Sequence, residues 1–258
     1  MNRRDFIRLS LGAAGAAAMP SIAMAQNPHG PGVALVGLAA PLRMGVASLL
    51  PVNGLLSIGG APKVGKSLLA MDTACLLAGS GGWLLERFPV LAPDPVFYCC
   101  HQMTGSTIFH RYKTISTSRM WTQEADPPVY VSYARMDLSS PATRAELSTH
   151  IHNFGAKYLI LDPIEDFGGV KALEGIERDF AKRLSGIVYT YNTPIRVCHH
   201  PMGSSIFGDW ANSRINMRKE YDKDNKKVIR FEFETRDIPD PEPMTMRLNG
   251  QMLRFMPV

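Results

Sequence analysis

The feature that most limits the fold of this chain is a glycine-rich turn between two apolar runs. Residues Gly60–Ser67 read Gly-Ala-Pro-Lys-Val-Gly-Lys-Ser, which is a glycine, four residues, and then Gly-Lys-Ser. The apolar run Gly54–Gly59 ahead of it predicts a strand, and Leu68–Leu77 behind it predicts a buried helix. Glycines let the backbone wrap around a pyrophosphate with its N–H groups pointing inward. The pattern therefore predicts a nucleoside triphosphate site, because a chance match rarely has both neighbouring elements in place.

Two side chains of this turn supply the chemistry that a triphosphate needs. Lys66 is placed to reach the β- and γ-phosphates, and the Ser67 hydroxyl to ligate Mg²⁺. The helix that begins here directs its positive end at the same anion. We therefore expect ATP and Mg²⁺ as ligands. The predicted binding residues are Gly60, Ala61, Pro62, Lys63, Val64, Gly65, Lys66, Ser67 and Leu68.

Composition fits an ordinary globular domain with short extensions. The chain has 258 residues, of which 45% are hydrophobic and 20% are charged, and its formal net charge is +5. Residues 1–25 account for part of that excess, because Arg3, Arg4 and Arg8 stand there against Asp5. The remaining bias is mild, and it does not by itself indicate binding to DNA.

The first 25 residues form a second strong pattern. The segment Asn2–Arg8 resembles the twin-arginine export motif, and an Ala- and Gly-rich stretch, Leu9–Ala18, follows it. Pro20 then breaks any helix, and Ala23–Ala25 matches a small-x-small cleavage site before Gln26. The apolar part is too short to span a bilayer stably. A basic, alanine-rich tail without a targeting role explains the same residues.

This leader conflicts with the phosphate-binding turn. Compartments that receive exported proteins hold little ATP, so a nucleotide-driven domain would lack its ligand there. The ATP requirement favours a cytoplasmic protein, whereas a genuine leader predicts export to the periplasm. We expect three regions, namely the leader at 1–25, a Pro- and Gly-rich linker at 26–40 and one domain at 41–258.

From about residue 41 the pattern alternates between strands and helices. Such alternation predicts an α/β fold with a mostly parallel sheet covered by helices on both faces. After Asp209 the character changes to antiparallel hairpins. Strands are expected at 54–59, 95–100, 129–132, 158–162, 194–200, 213–221 and 227–235, with an Asn-Gly hairpin at 249–250. Helices are expected at 68–77, 104–116 and 140–153, with a further long helix through Leu173, Ile176, Phe180, Leu184, Ile187 and Val188.

Asp162 is the second predicted metal-binding residue. It ends the apolar strand predicted at 158–162, which is where the Mg²⁺-holding acids of phosphate-loop proteins lie. Its carboxylate would hold the ion through water, opposite Ser67. An acid that caps the turn before Pro163 is the alternative.

Taken in order, these segments resemble the RepA-type, RecA-like branch of the P-loop ATPases, a group of AAA family ATPases. The resemblance covers about residues 41–255. It implies a RecA-like core, self-assembly into a ring or filament, and action on single-stranded DNA in plasmid or phage replication. The segments that carry it are the turn 60–67, Val96–Tyr98, Leu161–Pro163, His199–His200, Gly203–Ser205, Asp209–Trp210, Phe231–Glu234 and Arg236–Asp237.

The resemblance also implies a catalytic set with one unusual member. The strand Val96–Cys100 leads to the place of a glutamate that polarises the attacking water, and Gln102 stands there instead. An amide orients water but cannot accept its proton, so hydrolysis should be slow unless Glu165 or Asp166 substitutes. The predicted catalytic residues are Lys66, Gln102, Asp162 and His200.

Two further positions bear on hydrolysis. His199 or His200 resembles the γ-phosphate sensor of the family, although a strand-end histidine bonded to backbone explains either residue. Met202 stands where the helicases carry a basic residue that reaches the neighbouring subunit. Arg214 or Arg218 is a candidate to replace it.

Two functions from different classes follow. The first is a DNA-dependent ATPase, and the second is a nucleotide-binding switch or scaffold with little hydrolysis. Trp210 and Tyr221 lie among basic residues, an arrangement that suits stacking on single-stranded bases. A solvated hairpin accounts for the same residues. A small-molecule kinase is disfavoured because no arginine-bearing lid is recognisable.

Overall fold

The structure is a computed structural model that describes residues 43–79, 81–119, 128–181, 183–192 and 211–258, together with the backbone of residues 6–8. Its strands are β1 (Phe6–Arg8), β2 (Met44–Val46), β3 (Leu50–Pro51), β4 (Gly54–Gly60), β5 (Trp83–Leu84), β6 (Phe88–Pro89), β7 (Val96–Cys99), β8 (Val129–Ser132), β9 (Tyr158–Leu161), β10 (Gly186–Asn192), β11 (Ser213–Tyr221), β12 (Lys227–Thr235), β13 (Met244–Asn249) and β14 (Arg254–Pro257). Its helices are α1 (Lys66–Ala78), α2 (Gly105–Ser118), α3 (Pro141–Phe154) and α4 (Gly169–Phe180), with a short 3₁₀ helix at Ile164–Phe167.

One large sheet organises the described residues, in the order β1-β8-β7-β9-β10-β4-β11-β12-β13-β14. The strands from β8 to β11 run parallel to their neighbours. Antiparallel pairing joins β11 to β12, β13 and β14 at one edge, and β1 to β8 at the other. This confirms the predicted α/β fold with antiparallel hairpins at the C-terminal edge.

Two apolar cores cover the two faces of the sheet. On β7, Val96 and Tyr98 face the core that includes α1 and α2, whereas Phe97 and Cys99 face the core that includes α3 and α4. Successive residues of a strand point to opposite faces, so a strand buried on both sides is apolar throughout. That burial explains why the central strands appear in the sequence as unbroken apolar runs.

The region after α4 contradicts the predicted long helix. The helix ends at Phe180, and Ile187 and Val188 belong to strand β10. The run Gly186–Asn192 is rich in β-branched and aromatic residues, and it gains backbone partners on both sides from β9 and β4. Those sheet hydrogen bonds outweigh a helical spacing that a short apolar run also satisfies.

Other expectations differ only in detail. The last hairpin pairs Asn249 with Arg254, so its connection has four residues rather than the two of an Asn-Gly turn. The predicted strand at 194–200 lies outside the described residues. Among the helices that the structure describes, none is long and apolar enough to cross a membrane.

Candidate nucleotide-binding site

The glycine-rich turn joins the buried strand β4 to helix α1 at the centre of the sheet. Gly60 has φ 155°, Lys63 has φ 62° and Gly65 has φ 109°, values in the region that favours glycine. A Cβ on Gly65 would lie 2.7 Å from the ring of Phe255, and one on Gly60 would lie 2.6 Å from the carbonyl oxygen of Met217. Both glycines are therefore required by backbone conformation and by close packing.

The Lys66 ammonium lies across this turn. Its Nζ donates hydrogen bonds of 2.9 Å to the carbonyl oxygens of Gly60 and Ala61. Burial lowers the pKa of Lys66, and the charges of Asp162 and Glu165 partly offset that effect. Among the described residues, the groups hydrogen-bonded to the buried ammonium are all neutral carbonyls, so its charge is available to an anion in the turn.

Asp162 follows β9 and lies beside Ser67. Its Oδ1 accepts hydrogen bonds from the hydroxyls of Ser67 at 3.1 Å and Thr190 at 2.5 Å. Its Oδ2 accepts one of 2.6 Å from the Tyr98 hydroxyl. Burial and the neighbouring Asp162 charge raise the pKa of Tyr98, so its hydroxyl remains a donor. Three neutral donors therefore orient a carboxylate that is 1% exposed.

Ser67 and Asp162 fit a magnesium ion by the chemistry of their donors. Mg²⁺ prefers oxygen ligands and usually retains several waters. The Ser67 hydroxyl and the Asp162 carboxylate are hydrogen-bonded neighbours, so both could face one ion, with Asp162 acting through water. The ion would supply charge neutralisation between the outer phosphates.

A cavity of about 1000 Å³ opens over the turn, at the upper end of the usual range for ligand sites. Parallel strands place their carboxyl ends along one edge, and the cavity follows that edge from β7 to β13. Its lining consists of Pro62, Lys63, Val64, Gly65, Lys66, Ser67, Leu68, Gln102, Arg111, Asp162, Pro163, Thr190, Asn192, Lys226, Lys227, Ile229, Arg247 and Leu248. Most of the predicted binding residues are thus brought together, along with Gln102.

Glu165 lies beside this cavity, on the 3₁₀ helix that follows Asp162. Its Oε1 accepts a 2.6 Å hydrogen bond from the backbone N–H of Asn192, and its buried Oε2 has no partner among the described residues. Burial raises the pKa of Glu165. Asp166 instead approaches His101 at 3.7 Å. Of the two candidates to replace Gln102 as a base, Glu165 is electrostatically coupled to Lys66.

Several predicted residues fall elsewhere. His199, His200, Met202, Asp209 and Trp210 lie outside the described residues. Tyr221 is 62% exposed at the end of β11.

The two candidate arginines lie on β11. Arg214 pairs with Glu234 at 3.1 Å and Arg218 with Glu232 at 3.3 Å. The described lining of the cavity includes neither arginine. Their proposed action on a neighbouring subunit stays a prediction.

A family model described as an AAA domain matches residues 35–202, about two thirds of the chain. The chain belongs to the AAA domain family. The matched region of this AAA domain protein contains the glycine-rich turn, Gln102 and Asp162, and it ends before the hairpins from β11 to β14. Membership supports nucleotide binding by a P-loop ATPase. A search of curated proteins gave no match.

The sequence reasoning missed residues on both sides of the turn. Thr190 and Asn192 were not predicted, because Ile187 and Val188 of strand β10 had been assigned to a helix. The sequence does contain a signal for Tyr98. This residue lies on the strand that leads toward Gln102, and its side chain points to the face opposite that of Phe97. Lys226 was predicted only as one of the basic residues around Tyr221, and Arg247 had no predicted role. The fold brings both to the glycine-rich turn from more than 150 residues away.

Proposed function

We propose that this AAA domain protein binds ATP with Mg²⁺ and is a RecA-like ATPase of the RepA type. The single observation that carries this proposal is the pairing of Ser67 with Asp162 beside the buried Lys66 ammonium. That arrangement offers a cation for the phosphates and oxygen ligands for the metal within one cavity.

The direct test is calorimetric titration of the full chain with ATP and Mg²⁺. We expect saturable binding that Mg²⁺ strengthens and that Lys66→Met weakens about a hundredfold. Failure of the wild-type chain to bind ATP would refute the proposal. Asp162→Asn should weaken the binding of ATP with Mg²⁺ far more than that of metal-free ATP, because its carboxylate acts on the ion.

We further propose that the chain assembles as a ring or filament and acts on single-stranded DNA. The support is the resemblance to plasmid helicases, together with basic side chains around the exposed ring of Tyr221. Light scattering with ATP, and ATPase assays with and without single-stranded DNA, test this part. A monomer whose ATP turnover is unchanged by single-stranded DNA would contradict this proposal.

A second candidate is a nucleotide-binding switch with slow hydrolysis. Gln102 favours it, because this exposed amide lines the cavity at the place of the expected glutamate. Gln102→Glu should raise ATP turnover about tenfold or more, since general-base catalysis contributes at least that much. Unchanged turnover, with unchanged ATP affinity, would reject this explanation of slow hydrolysis.

The predicted leader at residues 1–25 bears on the compartment in which the protein works. Residues 6–8 pair with β8 at the edge of the sheet, so cleavage before Gln26 would remove a strand. We propose that the uncleaved chain works in the cytoplasm, where ATP is present. Intact mass measured in each cell fraction tests this, and a periplasmic product beginning at Gln26 would overturn it.

A further inference from the structure

The far end of the cavity is built by the C-terminal hairpins. Strand β4 carries the turn, and β11, β12 and β13 follow it in the sheet. From β12, β13 and the turn before β12 come three cationic and two apolar lining residues, Lys226, Lys227, Arg247, Ile229 and Leu248. This wall lies beyond the part of the chain that matches the AAA domain.

The position of the metal-binding pair fixes the direction of a bound nucleotide. Gln102 and Asp162 follow β7 and β9, and Ser67 is hydrogen-bonded to Asp162. The outermost phosphate must lie near this group for metal-assisted transfer. The nucleoside must then extend from the turn toward β12 and β13. The half-buried side chain of Leu248 offers an apolar surface there.

Two of the three cationic residues of this wall, Lys226 and Arg247, are hydrogen-bonded to one carboxylate. Asp222 Oδ1 accepts hydrogen bonds from the backbone N–H groups of Asp224 at 3.0 Å and Lys226 at 2.8 Å. Its Oδ2 accepts one of 2.7 Å from Arg247 Nη2. A single side chain therefore shapes the turn between β11 and β12 and joins it to β13.

The positive charge of this wall is only partly neutralised by neighbouring carboxylates. Lys227 is exposed and forms no described ion pair, and Lys226 has only a solvent-exposed contact of 3.3 Å with Asp224. Such exposed pairs contribute little and yield readily to a stronger anion. The buried Nε of Arg247 has no described hydrogen-bond partner.

We propose that this wall is the nucleoside end of the site, completed within a single chain. Leu248 packs against the base, and Lys226 and Lys227 contact the phosphates nearest the ribose. Asp222 is a positioning residue that holds the wall against the turn. This inference rests on the proposed ATP binding, and it assigns the subsite that receives a nucleoside polyphosphate.

The test measures the affinities of the full chain for ATP and for inorganic tripolyphosphate, each with Mg²⁺. The double variant Lys226→Ala/Lys227→Ala should lose about tenfold affinity for both ligands, because charge-assisted contacts to phosphate are lost. Leu248→Ser should weaken only ATP, because tripolyphosphate has no base. Lys223→Ala is the matched control, since Lys223 is exposed in the same turn and does not line the cavity.

The affinities of these variants distinguish failure of the proposed subsite from failure of ATP binding itself. Wild-type ATP binding that Lys66→Met weakens strongly, with unchanged affinity in the double-lysine variant, would overturn the subsite and leave ATP binding intact. Loss of single-stranded DNA binding alone in that variant would likewise reassign the lysines to a polyanion. Equal losses in the Lys223 control would mean that general charge, not contact, attracts the ligand.

Discussion

Two buried charge networks of this protein differ in how their charges are neutralised. In the first, Lys66 and Asp162 are bonded by carbonyls and hydroxyls, all of them neutral. In the second, Arg119 makes two hydrogen bonds of 2.6–2.7 Å to the two carboxylate oxygens of Asp72, and Arg254 donates to Glu86. Both networks touch α1, yet only the first lies at the cavity.

The difference separates a structural role from a ligand-binding one. The Asp72–Arg119 pair neutralises itself and joins α1 to the end of α2, with Arg254 adding β14. Buried charges that are paired need no further ion. Lys66 and Asp162 are oriented by neutral groups, which leaves their charges to act on a phosphate and a metal. Mutations should therefore separate stability from nucleotide affinity.

The largest expected effect is on stability, through Arg119→Ala. Removing this arginine leaves the Asp72 carboxylate, which is 6% exposed, without its closest partner, and breaking a buried pair costs about 3–5 kcal/mol. Urea unfolding should show this loss, while ATP affinity of the folded variant stays at the wild-type level. Arg178→Ala is the control, because its pair with Asp179 is exposed and should contribute under about 1 kcal/mol. Equal losses of unfolding free energy in Arg119→Ala and Arg178→Ala would contradict a structural role for the buried pair.

Lys66→Met should have the opposite effect, lowering ATP affinity without lowering stability. Loss of the ammonium should lower ATP affinity about a hundredfold, or about 3 kcal/mol. Burial lowers the pKa of Lys66 in the folded chain, so its charged form is disfavoured there below its unfolded pKa. The variant should therefore unfold at the same urea concentration as wild type or a higher one. A destabilised Lys66→Met would show that the ammonium also holds the turn together.

The sequence predicted the first network better than the second for a physical reason. Gly60–Ser67 is a local pattern whose spacing encodes its own geometry, and Asp162 follows from the end of an apolar strand. Arg119 and Asp72 meet only because α2 packs on α1. Thr190 was missed because Ile187 and Val188 satisfy helical spacing as well as strand alternation, and only pairing with β4 and β9 decides between them.

A smaller effect is expected from Tyr98→Phe, which tests how Asp162 is held. The change removes the 2.6 Å hydroxyl bond and leaves Asp162 Oδ2 without it, at a cost of about 2 kcal/mol in unfolding free energy. Binding of ATP with Mg²⁺ should weaken severalfold as the carboxylate loses its orientation. Tyr158→Phe removes an equally short hydroxyl bond, to the carbonyl oxygen of Ala92. It should lower stability without altering affinity, and the same affinity loss there would dismiss a positioning role for Tyr98.

The smallest expected effect concerns Glu165, which resembles neither network fully because one oxygen is bonded to a backbone N–H and the other has no described partner. Burial raises its pKa, so its protonated form is favoured in the folded chain. Its stability contribution is fully present below the unfolded pKa and is lost as pH rises through the folded pKa.

Glu165→Gln should therefore be at least as stable as wild type at pH 8, by up to about 1 kcal/mol, and should lose that advantage near pH 4. Urea unfolding across this range measures the difference. The amide oxygen can still accept the Asn192 N–H, so the backbone there is preserved. If Glu165 replaces Gln102 as the base, turnover should also fall with unchanged ATP affinity. Unchanged turnover would leave this carboxylate a structural role, despite its coupling to Lys66.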